Sequence, residues 1–212
     1  MTTCQPKVWD FDKYDWVSEY DERMRANKRL CYERTLGSLP QLTGAQPGER
    51  VLDIGCGTGN SAFPFLEVGC TVLGLDPSER MLELARPKTG AFEGRFELRH
   101  LDDPFPHLPL PGETFDIVIS AYAIHHLPDP EKTRAISGMK ASLRPDGHIA
   151  IGDTMFRDEA HKQKALLEHA DLEDEYHPLL TTLPGMFESE GMSVELHQMG
   201  ELVWVLVARR TD

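Results

Sequence analysis

Apolar residues fall into short blocks separated by stretches of mixed character. Arg50 to Ile54, Thr71 to Leu75, Arg95 to Leu98, Phe115 to Ser120 and His148 to Ile151 are the clearest of these blocks. Short apolar runs bounded by turn residues predict strands buried within a sheet. Helical segments lie between them. One starts near Asn60 and ends by Val68-Gly69. The next is capped by Ser78 and carries Met81, Leu82 and Leu84. Another opens at Asp129-Pro130-Glu131, with Asp129 as N-cap and Pro130 at the first helical position. Strand and helix alternate five times, which predicts an α/β fold with a doubly wound parallel sheet.

Both ends of the chain depart from that rhythm. Residues from about Trp16 to Leu39 read as helical, with Leu30, Leu36 and Leu39 on the apolar side. The segment before it, Trp9 to Trp16, is dense in aromatics and acids. Helical stretches are expected near Glu159 to Leu172 and Leu179 to Glu190. Ser193 to Gln198 and Leu202 to Val207 then read as two strands joined by a short turn at Gly200. The expected sheet is therefore seven-stranded and mostly parallel, with an antiparallel C-terminal hairpin at one edge. No repeat, low-complexity tract or domain boundary is visible. A single domain 1–212 is expected, divided into an N-terminal lid or helical segment (1–45), a cofactor-binding core (46–155) and C-terminal helices with the hairpin (156–212).

Charge narrows the partners. Lys and Arg number 22 against 35 Asp and Glu, a net charge of −13. Such a surface repels phosphate backbones, so a nucleic-acid partner is not expected. The densest basic stretch, Arg23 to Arg34, is broken by Glu33 and reads as a solvated helix face. No apolar run is long enough to span a bilayer, and Met1 to Asp10 lacks the apolar centre of a signal peptide. Cys4, Cys31, Cys56 and Cys70 show no CxxC spacing. A cytoplasmic protein is expected, with a small-molecule partner, no membrane contact, and a homodimer as the candidate assembly.

The most informative stretch is Val51-Leu52-Asp53-Ile54-Gly55-Cys56-Gly57-Thr58-Gly59-Asn60. Its glycines allow a sharp turn and close approach of a ligand to the backbone. The spacing is GxGxG, and Asn60 stands where a dinucleotide site has its last Gly or Ala. Asp53 lies inside the strand, where an aliphatic would be usual. A buried carboxylate needs partners: the loop's N–H groups, or a cationic ligand. Asp76 ends the next strand about 20 residues after the glycines, where a ribose diol would lie, and Pro77 sets the turn after it. Asp102 follows the third strand, where an adenine amino group could be read.

VLDIGCGTG, then GLDPSERMLELA, then Asp102, resembles the class I S-adenosylmethionine-dependent methyltransferases over about residues 50–152. SAYAIHHLPD, IGDTMF, EYHPLL and VWVLVA are similar to the small YrrT-type methyltransferases. The resemblance implies S-adenosylmethionine as cofactor. It implies that Asp53 and Gly55 hold the methionine end, within the loop that includes Cys56, Gly57 and Gly59. Asp76, with Pro77 and Met81 beside it, would take the ribose hydroxyls, Asp102 the adenine amino group, and Asp103 would offer backbone to the ring. Ser120 and Ala121 would flank the sulfonium, and Tyr20 would close over the cofactor. One departure is Leu101, where relatives often carry Gly.

On the acceptor side, His125, His126 and Asp153 follow the fourth and fifth strands, at the carboxyl edge where open α/β sheets bind ligands. One histidine could serve as a general base. Adjacent histidines cannot both face one site on a regular element. With no HxxxH and no third ligand nearby, no metal site is expected. Structural readings stay open beside these. Asp53 could staple its loop, Asp76 could belong to an ordinary turn, and Asp102 with Asp103 could be a solvated pair. The histidines could pack their loop, Asp153 could cap a helix, and Trp16 and Trp204 could be core or lid. The function expected is in-line methyl transfer to an unidentified small molecule. The alternatives are a non-catalytic S-adenosylmethionine-binding regulator and a nicotinamide oxidoreductase, the latter opposed by Asp53 and Asn60.

Overall fold

The computed structural model describes residues 11–103, 105–169, 172 and 175–211. Cys4, Trp9 and Asp10 lie outside them. Among the described residues one sheet contains β1 (Arg50–Ile54), β2 (Thr71–Asp76), β3 (Phe96–His100), β4 (Phe115–Ala121), β5 (Leu143–Thr154), β6 (Met192–Gln198) and β7 (Val203–Arg210). The strand order is 3-2-1-4-5-7-6. β1 to β5 run parallel, and β7 pairs antiparallel with both β5 and β6.

Successive residues of a strand point to opposite faces, so each central strand feeds two cores. Leu52, Ile54, Val118, Ile149 and Ile151 meet Ile136, Met139, Leu183 and Phe187 on one face. Those partners come from α5 (Asp129–Ser142) and α7 (Leu183–Ser189). Val51, Ile117, Ile119, Ala150 and Val205 meet Leu36, Leu39, Phe65 and Leu66 on the other. These belong to α2 (Tyr32–Thr43) and α3 (Phe63–Val68). Each fully buried aliphatic contributes about 1.5–3 kcal/mol, so the sheet's frame is set by many equivalent contacts.

The strand order reverses between β1 and β4. The loops after these strands therefore diverge and leave a crevice at the carboxyl edge, the place where such folds bind ligands.

Four boundaries differ from expectation. The helix expected from Trp16 to Leu39 is broken into a 3-10 turn at Asp15–Glu19, α1 (Tyr20–Ala26), a second turn at Lys28–Leu30, and α2. Asn27 accepts a hydrogen bond from Arg29 N at 3.2 Å, and Cys31 takes a left-handed φ of 48°. Local bonding of this kind competes with the helical ladder. α5 has Pro128 as its N-cap, with Asp129 already in the first turn. The Asp129 carboxylate instead accepts from the buried Lys132 at 2.8 Å. α6 (Glu159–Glu168) ends before Leu172. α7 starts only at Leu183, beside Pro184, because Leu179 is committed to a parallel bridge with Phe156.

Candidate active site

The glycine loop is bonded to the end of β2. Gly55 N and Cys56 N both donate to the Leu75 carbonyl, at 2.8 and 3.0 Å. Gly55 has a φ of +73°, and a Cβ there would stand 2.6 Å from the Ala123 side chain, so only glycine fits. Gly57 N donates to Asp76 Oδ2 at 2.7 Å, and Ser78 N donates to Asp76 Oδ1 at 2.9 Å. Ser78 then caps α4 (Glu79–Thr89) by accepting from Met81 N at 3.2 Å. Cys56 turns its sulfur under Gly74, and burial pushes its thiol well up. Gly59 packs over the Phe96 ring.

Asp53 is fully buried beneath this loop. Its Oδ2 accepts from Ser61 Oγ at 2.5 Å, whereas Oδ1 has no hydrogen-bond partner. Burial pushes the carboxyl up to about 7, against the Ser61 bond and with a further push from Asp76.

A cavity of about 360 Å³ opens over the loop. Gly55, Gly57, Asp76, Pro77, Met81, Asp102 and Asp103 line it. Burial and the nearby Glu131 raise the Asp103 carboxyl above its usual range. Asp53, Cys56, Gly59, Ser120 and Ala121 are not among the lining residues. Ser120 Oγ donates to the Ile54 carbonyl at 3.0 Å and ties β4 to β1. The next two residues, Tyr122 and Ala123, reach the cavity instead.

A second cavity, of about 240 Å³, lies alongside. Trp16, His125, Glu175 and His177 line it, while Phe11, Tyr20, Tyr122 and His126 line both cavities. Tyr122 holds a left-handed φ of 53°, and its hydroxyl donates to the Leu30 carbonyl at 2.5 Å. Tyr20 stacks on Trp16 at 6.4 Å between ring centroids. Burial, then Tyr32 and Asp76, raise its phenol well above 10, so Tyr20 stays protonated at neutral pH.

His125 and His126 occupy a 3-10 turn (Ile124–His126), which brings their rings to 4.1 Å. The expectation that neighbouring histidines diverge assumed a regular element, and this tight turn removes that premise. His125 Nδ1 donates to Asp153 Oδ1 at 2.7 Å. Asp153 is fully buried and lines neither cavity, and its side chain contacts His125 instead. Burial alone would raise the Asp153 carboxyl, but His125 pulls it below its ordinary value. Burial alone would lower the His125 imidazole, but Asp153 and Glu175 raise it. Glu175 Oε2 lies 3.3 Å from His125 Nε2, and its Oε1 lies 3.4 Å from His126 Nδ1. His177 Nε2 is 3.9 Å from Glu175 Oε2. The premise that no third ligand stands near the two histidines is therefore overturned.

A further residue anchors the N-terminal segment. Asp21 on α1 accepts from Thr58 Oγ1 at 2.5 Å, Asn60 Nδ2 at 2.8 Å and Lys88 Nζ at 2.7 Å. Lys88 on α4 also donates to the Thr58 carbonyl and to Asn60 Oδ1. Burial works to raise the Asp21 carboxyl, but these three donors bring it below its ordinary value. Arg80 Nη1 donates to the Tyr14 carbonyl at 2.9 Å. The segment is thus fastened to both sides of the glycine loop.

Sequence reasoning assigned no role to Asp21, Tyr122, Ala123, Glu175 or His177. Asp21 and Tyr122 adjoin residues it did select. Glu175 and His177 sit in the EYHPLL string with no periodicity or spacing to connect them to His125.

A glycine loop after β1, an acid closing β2, and this strand order with its antiparallel β7 define a Rossmann-like methyltransferase architecture. A methyltransferase-domain family profile matches residues 51–147. An uncharacterized methyltransferase of Oceanobacillus iheyensis is 34% identical over 210 residues, spanning 92% of this chain and 94% of that protein. The uncharacterized methyltransferase YrrT of Bacillus subtilis is 33% identical, spanning 92% and 94%. The chain belongs to this methyltransferase family. The magnesium protoporphyrin IX methyltransferase of Synechocystis, solved with bound SAH, superposes with a TM-score of 0.72 at 19% identity, over 92% of this chain and 96% of that one.

Proposed function

We propose that this protein transfers a methyl group from S-adenosylmethionine, held over the glycine loop, to a small-molecule acceptor held in the second cavity. One observation carries the reading: the two cavities adjoin and share a wall of Phe11, Tyr20, Tyr122 and His126. A protein that only sensed the cofactor would have no use for the second chamber.

The residues present fit the cofactor. The buried, unpaired Asp53 Oδ1 calls for a cationic or hydrogen-bonding partner, and an amino-acid ammonium reached directly or through water would supply one. Gly55 and Gly57 leave backbone accessible beside it, with Cys56 and Gly59 shaping the turn. Asp76 would take the ribose hydroxyls, and Asp102 and Asp103 the adenine edge, with Pro77 and Met81 as the apolar floor. Ser120 and Ala121 would act from behind, setting Tyr122 and Ala123 against the sulfur. When bound, the cofactor supplies a methyl group already activated by the positive charge on sulfur. The protein's task is then alignment, which can supply about 7–11 kcal/mol. The protonated Tyr20, with Phe11 and Trp16, excludes water from the wall between the chambers. His125 and Glu175 meet the acceptor away from the shared wall, and His126 meets it from within that wall.

The small second cavity and the net charge of −13 support a small molecule over nucleic acid. No described helix is long and apolar enough to cross a membrane.

The test is a screen of thiols, amines and carboxylates for S-adenosylhomocysteine release, run beside thermal melting. At 100 times its Kd, either sulfur ligand should stabilise the fold by about 2.7 kcal/mol, a melting shift of roughly 5–11 °C for this chain length. A shift with NADH and none with the sulfur ligands would overturn the reading.

A further inference from the structure

We propose that His125, His126 and Glu175 bind one divalent transition-metal ion, with Asp153 as the carboxylate behind His125. The ion's role in catalysis rests on the acceptor reading above, whereas its binding does not.

The first argument is spacing. One ligand atom from each of His125, His126 and Glu175 lies within 4.8 Å of the others. The two oxygens of Glu175 stand 3.3 and 3.4 Å from His125 Nε2 and His126 Nδ1. Charge-assisted hydrogen bonds between such groups are about 2.7–2.9 Å. Ligand atoms around a tetrahedral ion with bonds of about 2.0–2.1 Å are about 3.3–3.5 Å apart. Each Glu175 oxygen stands at about the second spacing from a different imidazole nitrogen, so the carboxylate spans both rings, while His125 to Asp153, at 2.7 Å, matches the first.

That contrast supplies the second argument. Asp153 fixes the proton on His125 Nδ1, so an incoming cation would displace the proton on Nε2, the nitrogen that faces Glu175. A carboxylate behind a ligating imidazole is the usual outer support of a metal-bound histidine. Lys162 Nζ donates to the Glu175 carbonyl at 2.5 Å and holds that loop in place.

Third, the donors are two imidazoles and one carboxylate. This set suits zinc, cobalt, iron or manganese, whereas magnesium and calcium favour oxygen alone. The donors line the second cavity and Asp153 does not, so the ion would keep an open position toward the acceptor. A thiol or hydroxyl acceptor would bind there as its anion, its proton released to solvent. It would then attack the sulfonium methyl as the sulfur–methyl bond breaks and the electron pair returns to sulfur.

The experiment uses the full chain, stripped with chelator and titrated with Co²⁺, reading visible absorption and stoichiometry. The expected result is one equivalent with the bands of four- or five-coordinate cobalt, displaced by Zn²⁺. Glu175→Gln and His126→Ala should each weaken binding at least ~10-fold, as loss of a ligand or its support does. His197→Gln, on the edge strand, should leave it unchanged. Circular dichroism confirms folding, and His126→Gln or Glu175→Asp replaces any variant that fails to fold. Absence of a stoichiometric site, or binding unaltered by these changes, would overturn the proposal. Cobalt binding without methyl transfer would leave this site standing and defeat the functional reading, and the converse result would separate them the other way.

Discussion

The two chambers are walled differently. Around the glycine loop the fixed points are backbone atoms: Gly57 N and Ser78 N hold Asp76, and the Leu75 carbonyl holds Gly55 and Cys56. In the second chamber they are side chains from separate elements. His125 comes from the turn after β4, Glu175 and His177 from the loop before α7, and Trp16 from the N-terminal segment. Backbone walls tolerate many sequences provided that the glycines stay. Side-chain walls change with each substitution. The first design suits a ligand common to a family, and the second suits whatever distinguishes one member's acceptor from another's.

That division should be visible in kinetics. Glu175→Gln should lower turnover by about 10²-fold or more, the scale for a positioned acid–base group, while cofactor Kd moves less than about two-fold. Asp76→Ala should do the reverse, weakening cofactor binding by about 1.5–3 kcal/mol in calorimetric titration. If Glu175→Gln raised the cofactor Kd as much as Asp76→Ala, the chambers would not be separate sites.

Asp53 sharpens the contrast, because it is the one buried carboxylate among the described residues with an oxygen that no hydrogen bond fills. Its folded value of about 7 lies above the ordinary carboxylate value of 3.8. Between those values the unfolded chain has lost the proton and the folded chain retains it. Stability should therefore fall as pH rises from about 4 to 7, by at most about 1.4 kcal/mol per unit from this group. Asp53→Asn should flatten that part of the curve in denaturant titrations. A saturating cofactor, by placing a cation near the carboxylate, should flatten it as well. A wild-type curve that coincides with that of Asp53→Asn over this range would show that Asp53 titrates normally.

The same contrast explains what could be read from sequence. Asp53, the three glycines, Asp76, Pro77 and Met81 lie within one β–α–β stretch, so chain spacing approximates spatial spacing. The strands were legible because a buried parallel sheet demands near-continuous apolar runs. Glu175 and His177 reach His125 only through the loop between α6 and α7, and no local pattern encodes that return. The broken N-terminal helix is a different case. Leu36 and Leu39 keep a helical spacing, but Leu30 stands six residues before Leu36, off that face, so the period already fails across the left-handed Cys31. Ser120 and Ala121, which the resemblance sets beside the sulfonium, end the strand just before Tyr122 and Ala123 reach the cavity, and Tyr122 turns where composition gives no sign.

The smallest expected effect concerns the bridge between the regions. Asp21 joins the N-terminal segment, which walls both chambers, to Thr58, Asn60 and Lys88 around the glycine loop. The Asp21 and Lys88 side chains are 25% and 27% exposed, so solvent screens the pair only in part. Asp21→Asn keeps the shape and removes the charge, and should reduce stability by about 1 kcal/mol, the upper end for ion pairs near a surface. The functional effect follows from geometry. Tyr20 precedes Asp21 and stands in the shared wall, so loosening α1 should open that wall to water. Cofactor affinity should fall a few-fold and turnover somewhat more, because a loosened lid disturbs both chambers at once. Lys88→Met should reproduce the loss, and the double variant should add little, since both changes break one network. Additive losses in stability and turnover would show that Asp21 and Lys88 act separately, and that the N-terminal segment is held by Arg80 and the aromatic stack rather than by this latch.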